Sequence, residues 1–189
     1  MTLKHTLKTI NKTIGNSESM ISKENYLLHR LDNNVTGLLL YATDINTYKQ
    51  HLQLFKEKKV TKIYTGIIFG KLNETITKIS SKIYYNKNKI KSYINKKGEN
   101  ATTYVYKVKE QSINNNIITE VIFVIITGKT HQIRLHMKSI NKPILKDNIY
   151  GFNKNKEYLK ISSQYNSITL KSLSYIFHFE KYNLGYMII

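Results

Sequence analysis

No cysteine occurs in the 189 residues, so neither a disulfide framework nor a thiolate metal site can form. Pro143 is the single proline and there are 8 glycines, which leaves few loop signals. No segment reads as a linker, and no internal repeat is present. No apolar run approaches the roughly 20 residues that span a bilayer, so no membrane partner is expected. The start, "MTLKHTLKTINKTIG", lacks the apolar core of a secretion signal. A cytoplasmic protein is expected, although this Lys/Thr-rich, acid-free start keeps an organellar address open. Acids are few: 12 Asp and Glu face 30 Lys and Arg, giving a net charge of +18. Such an excess attracts polyanions, because neutralising phosphates releases condensed counterions. Lys, Asn, Ile and Tyr are also abundant, as A/T-rich codons dictate, so charge alone leaves nucleic-acid binding open.

Hydrophobic content of 41% with 15 tyrosines and 6 phenylalanines supports one globular domain over residues 1–189, large enough to bury a core. "LLLYA" (38–42) reads as a buried strand. "DINTYKQHLQLFKEKK" reads as an amphipathic helix, with Ile45, Tyr48, Leu52 and Phe55 on one face and Thr43 or Asp44 as its cap. "KIYTGIIFG" (62–70) is a β-branched strand, and residues 71–100 suggest hairpins or loops. "ATTYVYKVKE" and "ITEVIFVII" read as an antiparallel pair joined through residues 112–116. "THQIRLHMKSI" suggests a short helix capped by Thr130, and "NKPILKDNIYG" a turn-rich loop. "SITLKSLSYIFHF" alternates well enough for one or two more strands. The expected class is a strand-dominated α+β domain.

Several familiar motifs fail on spacing. "TGKTHQ" contains Gly-Lys-Thr, but a P-loop needs a glycine where Phe123 stands. His131 and His136 are five apart, which does not bring them together as a helical zinc pair, so no metal is expected. No second placed acid nominates a two-carboxylate glycosidase. Rare residues gather in two places instead. Only Arg30 and Arg134 are arginine, and only Asp32, Asp44 and Asp147 are aspartate. His29, Arg30, Leu31 and Asp32 form the first cluster; residues 127–151 hold the other arginine, the proline, Asp147 and two histidines. Taken singly, each cluster reads equally as a structural ion pair with a core histidine. Taken together, they point to sites where lysine cannot replace a planar guanidinium. A buried Arg134–Asp32 pair accounts for both scarcities.

The residues also match a family. "HRLDNNVTGLLLYA" resembles the His-Arg-Leu-Asp-x-x-Thr-Ser-Gly-Leu-Leu-Leu signature of the RluA-type RNA pseudouridine synthases. "KIYTGIIFG" is similar to the family's Lys-x-Tyr-x-Ala-x-Val-x-Gly strand, and "GENATTY" to its Gly-x-x-Ala-x-Thr segment. "TGKTHQIRLHMKSINKPILKDNIYG" parallels its Thr-Gly-Arg-Thr-His-Gln-Ile-Arg-x-His block through Pro-Ile-x-Gly-Asp-x-x-Tyr-Gly. The four segments keep the family's order over residues 27–151.

The resemblance implies the pseudouridine synthase catalytic fold and an enzyme that isomerises uridine in structured RNA with neither cofactor nor metal. It implies a catalytic carboxylate at Asp32, kept ionised and oriented by Arg134, and a Tyr64 that packs on the target uracil and assists proton removal from C5. Ile133 becomes apolar wall beside them. Arg30 enters the space left by the flipped nucleotide, and His29, Lys129, Thr130, His131 and Gln132 join the uridine- and RNA-binding set. Large-subunit rRNA is the expected substrate and tRNA the alternative, with the chain acting as a monomer. A non-catalytic RNA-binding protein of the same fold, or a hydrolase of N-glycosidic bonds, are the competing readings. Val35-Thr36, Lys129, Lys146 and Lys171-Ser172 depart from the family's Thr-Ser, Arg, Gly and His-Ala. The family's Asn-Lys-Pro-x-Gly element and an S4-like module are missing, and residues 2–10 resemble the helix that follows that element.

Overall fold

The computed structural model describes residues 26–42, 44–180 and 182–187. Thr43 and the expected helix at residues 2–10 lie outside them. In chain order the elements are β1 (Thr36–Gly37), α1 (Ile45–Lys56), β2 (Val60–Phe69), β3 (Ile76–Asn86), β4 (Lys91–Ile94), β5 (Glu99–Ile113), β6 (Asn116–Ile125), α2 (Gln132–Ser139), α3 (Lys156–Ser162), β7 (Lys171–His178) and β8 (Asn183–Met187). The class is α+β, as expected. An 8-stranded sheet runs β1-β7-β2-β6-β5-β3-β4, with β8 on the far part of β7. Among the described residues only β1–β7 pairs parallel. The turn between β5 and β6 is Asn114-Asn115, both at positive φ, a backbone that asparagine tolerates better than most residues.

Alternation along β2 assigns its two faces. Ile68 points into a core with Phe123, Ile125, Ile133 and Met137, so α2 covers that face. Ile67 and Phe69 point the other way, against Leu145, Tyr158 and Ile161, so α3 covers the opposite face. Each such fully buried side chain contributes roughly 1.5–3 kcal/mol. The third helix, α1, begins where the Asp44 carboxylate accepts from the Asn46 and Thr47 amides at 2.9 Å, a cap worth about 1 kcal/mol. It packs Leu54 and Phe55 on Tyr175 and Phe177.

Four local expectations change. The stripe of α1 is turned, because His51 and Leu54 are its buried residues while Leu52 is half-buried. His51 bonds Thr47 O through Nδ1 and lays its ring edge-on to Phe177 at 4.8 Å. "LLLYA" forms no continuous ladder. It is extended but pairs with residues 26–28 and with the Ser172 carbonyl, because Gly37 at φ 114 breaks the strand. His131, not Thr130, caps α2, with left-handed φ 58 and no side-chain cap bond. The α3 helix, started by the Asn155 side chain on Tyr158 N, was not expected from the sequence.

Candidate active site

Lys62, Tyr64, Gly66 and Ile68 share the β2 face that α2 covers. Between that face, α2 and the loop ahead of β1 lies a cavity of about 280 Å³. Asp32, Lys62, Tyr64, Ile133, Arg134 and Tyr175 all line it. Segments far apart in sequence therefore meet, and the local geometry explains how each residue is held.

Asp32 sits at the first corner of a turn closed by Val35 N on Asp32 O at 3.1 Å, with Asn34 at φ 68. Gly37 then pins this turn to β7. A Cβ on Gly37 would lie 2.1 Å from the Ser172 carbonyl oxygen, so only glycine lets β1 seat there. Arg134 projects from α2 and is 5% exposed. Its Nε and Nη2 each donate to Asp147 at 2.8 Å, a bidentate fork, while Nη1 stands 3.6 Å from Asp32 Oδ2. The expected Arg134–Asp32 contact is present but looser, and the hydrogen-bonded partner is Asp147. Ile149 N and Tyr150 N also donate to Asp147, so that carboxylate is saturated and fully buried. Burial opposes the Arg134 charge, but the hydrogen bonds and charge of Asp147, with Asp32 behind them, raise its pKa. The Asp32 side chain is 24% exposed and takes no hydrogen bond among the described residues. The Arg134 guanidinium stands beside it while its lone pairs stay open.

Tyr64 Oη lies 3.2 Å from Tyr175 Oη, which is 3.1 Å from both Ser172 Oγ and His29 Nδ1. His29 Nε2 accepts from Leu40 N at 3.0 Å. Burial pushes the Tyr64 hydroxyl far above its ordinary range, with Tyr175 and Asp32 adding to the effect, so Tyr64 stays a neutral phenol. Burial also pulls His29 down to about 4. On the same wall Lys62 donates to Ile126 O at 2.6 Å and is pulled down to about 8 by burial.

The remaining expected RNA-facing residues divide. Arg30 is exposed at the cavity mouth and makes no ion pair among the described residues. Ile133 is buried in the core and forms cavity wall. Lys129 lines the cavity but pairs with Glu99. The Thr130 carbonyl accepts from Ser92 Oγ. His131 is buried, with Nδ1 3.0 Å from Tyr150 Oη. Gln132 lines the cavity but is 3% exposed and spends its whole amide on Thr102 O, Thr103, Thr127 and Lys129 N, so it holds the loop in shape. His29 likewise uses both ring nitrogens internally. Sequence reasoning missed Lys62 and Tyr175, and it placed Asp147 in the second cluster without a role. Lys62 had a usable signal, since it stands two residues before Tyr64 on one strand and must share its face.

The sequence pattern described as RNA pseudouridylate synthase matches residues 4–139. Ribosomal large subunit pseudouridine synthase C of Rickettsia conorii is 39% identical over 140 residues, covering 72% of this chain and 44% of that protein. Ribosomal large subunit pseudouridine synthase D of Blochmanniella floridana is 33% identical over 135 residues, 70% and 40% of the two chains. This chain thus spans less than half the length of those relatives. Among solved structures, human RNA pseudouridylate synthase domain containing 4 superposes with a TM-score of 0.77 at 20% identity, covering 100% of this chain and 79% of that one. Human RNA pseudouridylate synthase domain containing 1 gives 0.75 at 19% identity, covering 89% and 70%. The fold is that of these domains, and by the sequence match the chain belongs to the RNA pseudouridylate synthase family.

Proposed function

We propose that this chain isomerises selected uridines in RNA to pseudouridine, with Asp32 as nucleophile. The carrying observation is the Asp32 carboxylate, which lines the cavity 3.6 Å from a guanidinium that Asp147 holds still. A carboxylate kept for structure is saturated with donors, as Asp147 is; one with open lone pairs beside a fixed cation suits attack on carbon. Attack at the ribose anomeric carbon forms an ester and expels uracil through N1. Attack at C6 forms a base adduct that cleaves the same bond. In both routes the uracil turns, C5 bonds to the anomeric carbon, Asp32 leaves, and the C5 proton passes to the freed carboxylate or to water as N1 gains one. Nothing else is consumed, so the isomerisation balances with no further reactant. Tyr64, held neutral, acts as a hydroxyl and not as a phenolate.

The target uridine must leave its stack, at a cost of a few kcal/mol, and exposed Arg30 is suited to fill the gap. The net charge of +18 supplies phosphate attraction. The names of the relatives favour large-subunit rRNA over tRNA. Mapping pseudouridines in total RNA with and without this gene tests the reading. At least one large-subunit rRNA site should vanish; loss confined to tRNA would redirect the substrate. An unchanged map would contradict catalysis and favour an RNA-binding role.

A further inference from the structure

The hydroxyl network behind Tyr64 has a defined direction. Leu40 N is a backbone amide and only donates, so His29 Nε2 must carry a lone pair. The single proton of the neutral ring is therefore on Nδ1, which donates to Tyr175 Oη at 3.1 Å. A doubly protonated imidazole would set two donors face to face at Leu40. Burial opposes that form as well and, with the Lys62 charge, outweighs the favourable backbone contact at Arg30. Ser172 Oγ donates to the same Tyr175 oxygen at 3.1 Å. With two donors received, Tyr175 has its own proton left to give, and its remaining neighbour is Tyr64 Oη at 3.2 Å. Tyr64 accepts on that side, and its own proton is turned to the cavity that Asp32 lines.

We propose that Tyr175 is a positioning residue, which with His29 and Ser172 fixes Tyr64 as a hydrogen-bond donor facing the reaction site. It rests on the functional reading above and adds to it a hydroxyl whose direction is set before substrate arrives. Three features make the arrangement a built one. Tyr175 is 1% exposed and Ser172 is fully buried, so water does not compete for these bonds. Tyr64 and Ser172 are direct partners across the β2–β7 ladder, beside the one register shift between those strands. Leu173 is the residue skipped there, and the shift brings Ser172 and Tyr175 to the same side. Finally, His29 belongs to the stretch that carries Asp32, so the network links the proposed nucleophile's own segment to Tyr64.

The proposal separates Tyr175 from a packing residue by its kinetic signature. In tritium release from RNA carrying 5-tritiated uridine, Tyr175→Phe should lower kcat about tenfold, the loss expected for one misdirected hydrogen bond. KM should change less than twofold, because the ring and the cavity wall remain. Tyr64→Phe should lower kcat further, and the double variant should be no worse than Tyr64→Phe alone, since both act through one hydroxyl. An unchanged kcat in Tyr175→Phe, or losses that multiply in the double variant, would overturn the proposal. A structural readout on the intact protein, independent of turnover, guards against a wild type that releases no tritium or a variant that folds poorly. With tyrosine labelled at Cζ, the Tyr64 NMR signal should move in Ser172→Ala and in Tyr175→Phe, and stay in Tyr186→Phe on exposed β8. A Tyr64 signal unmoved in Ser172→Ala would overturn the relay. Silence in the tritium assay together with the expected shifts would fault the enzymatic reading and leave the network standing.

Discussion

Arg134 binds Asp147 through two hydrogen bonds of 2.8 Å and approaches Asp32 only to 3.6 Å. The two carboxylates therefore hold different offices. Asp147 neutralises and orients the guanidinium from beneath, and the guanidinium presents one free edge to Asp32. Removing Asp147 leaves a buried cation whose remaining carboxylate is loosely placed. Asp147→Asn should destabilise the fold by about 3 kcal/mol or more, the cost of breaking a buried pair from one side. Urea unfolding measures it, and a loss under 1 kcal/mol would contradict the assignment. Arg134→Lys should also fail to restore stability, because an ammonium cannot span both oxygens of Asp147.

Acid should weaken the fold before the carboxylates matter. His29 and His136 are both pulled by burial from 6.5 to about 4. His136 is fully buried between Thr103 Oγ1 at 2.8 Å and Ser81 Oγ at 2.9 Å. Their folded pKa values lie below the unfolded ones, so the unfolded chain binds more protons between pH 6.5 and 4. Stability is full above pH 6.5 and falls as the pH drops through that window, by at most about 1.4 kcal/mol per pH unit for each histidine. The urea midpoint should be lower at pH 5 than at pH 7. A flat profile across this range would mean the rings are solvated.

Lys146 occupies φ 60, the left-handed region, where its family's pattern has glycine. A lysine is strained there by roughly 1–2 kcal/mol, part of which glycine would give back in unfolded-chain entropy. Lys146→Gly should therefore raise stability by about 1 kcal/mol without moving Asp147, and thermal unfolding reads it directly. A drop in Tm would show that the lysine side chain makes up for its own backbone.

What the sequence disclosed and what it hid follow from the range of the interactions. The Asp44 cap, the Asn114-Asn115 turn and the β5–β6 pair are local, and each has a signature within a few residues. The scarcity of arginine pointed correctly to Arg134, because only a buried fork demands that residue in a lysine-rich chain. Its contact with Asp32 is present at 3.6 Å, but the closer partner, Asp147, was not told apart because two aspartates look alike as letters. The turn that aims the Ile149 and Tyr150 amides at one of them exists only in three dimensions. Thr130 looked like a cap because threonine usually is one, yet the cap is His131, held at left-handed φ 58 with no side-chain cap bond. Tyr175 was invisible for a different reason: in an alternating strand it is one more aromatic, and only the register shift in β7 brings it to Tyr64.

The measurement that bears most directly on the whole account is tritium release from 5-tritiated uridine in RNA, comparing wild type with Asp32→Asn. Asparagine keeps the size of the side chain and its place beside Arg134 but cannot act as a carboxylate nucleophile. The account predicts release by wild type and at least a thousandfold slower release by Asp32→Asn, on the order of 4 kcal/mol in the barrier, with RNA binding retained. Equal release by the two proteins would contradict it.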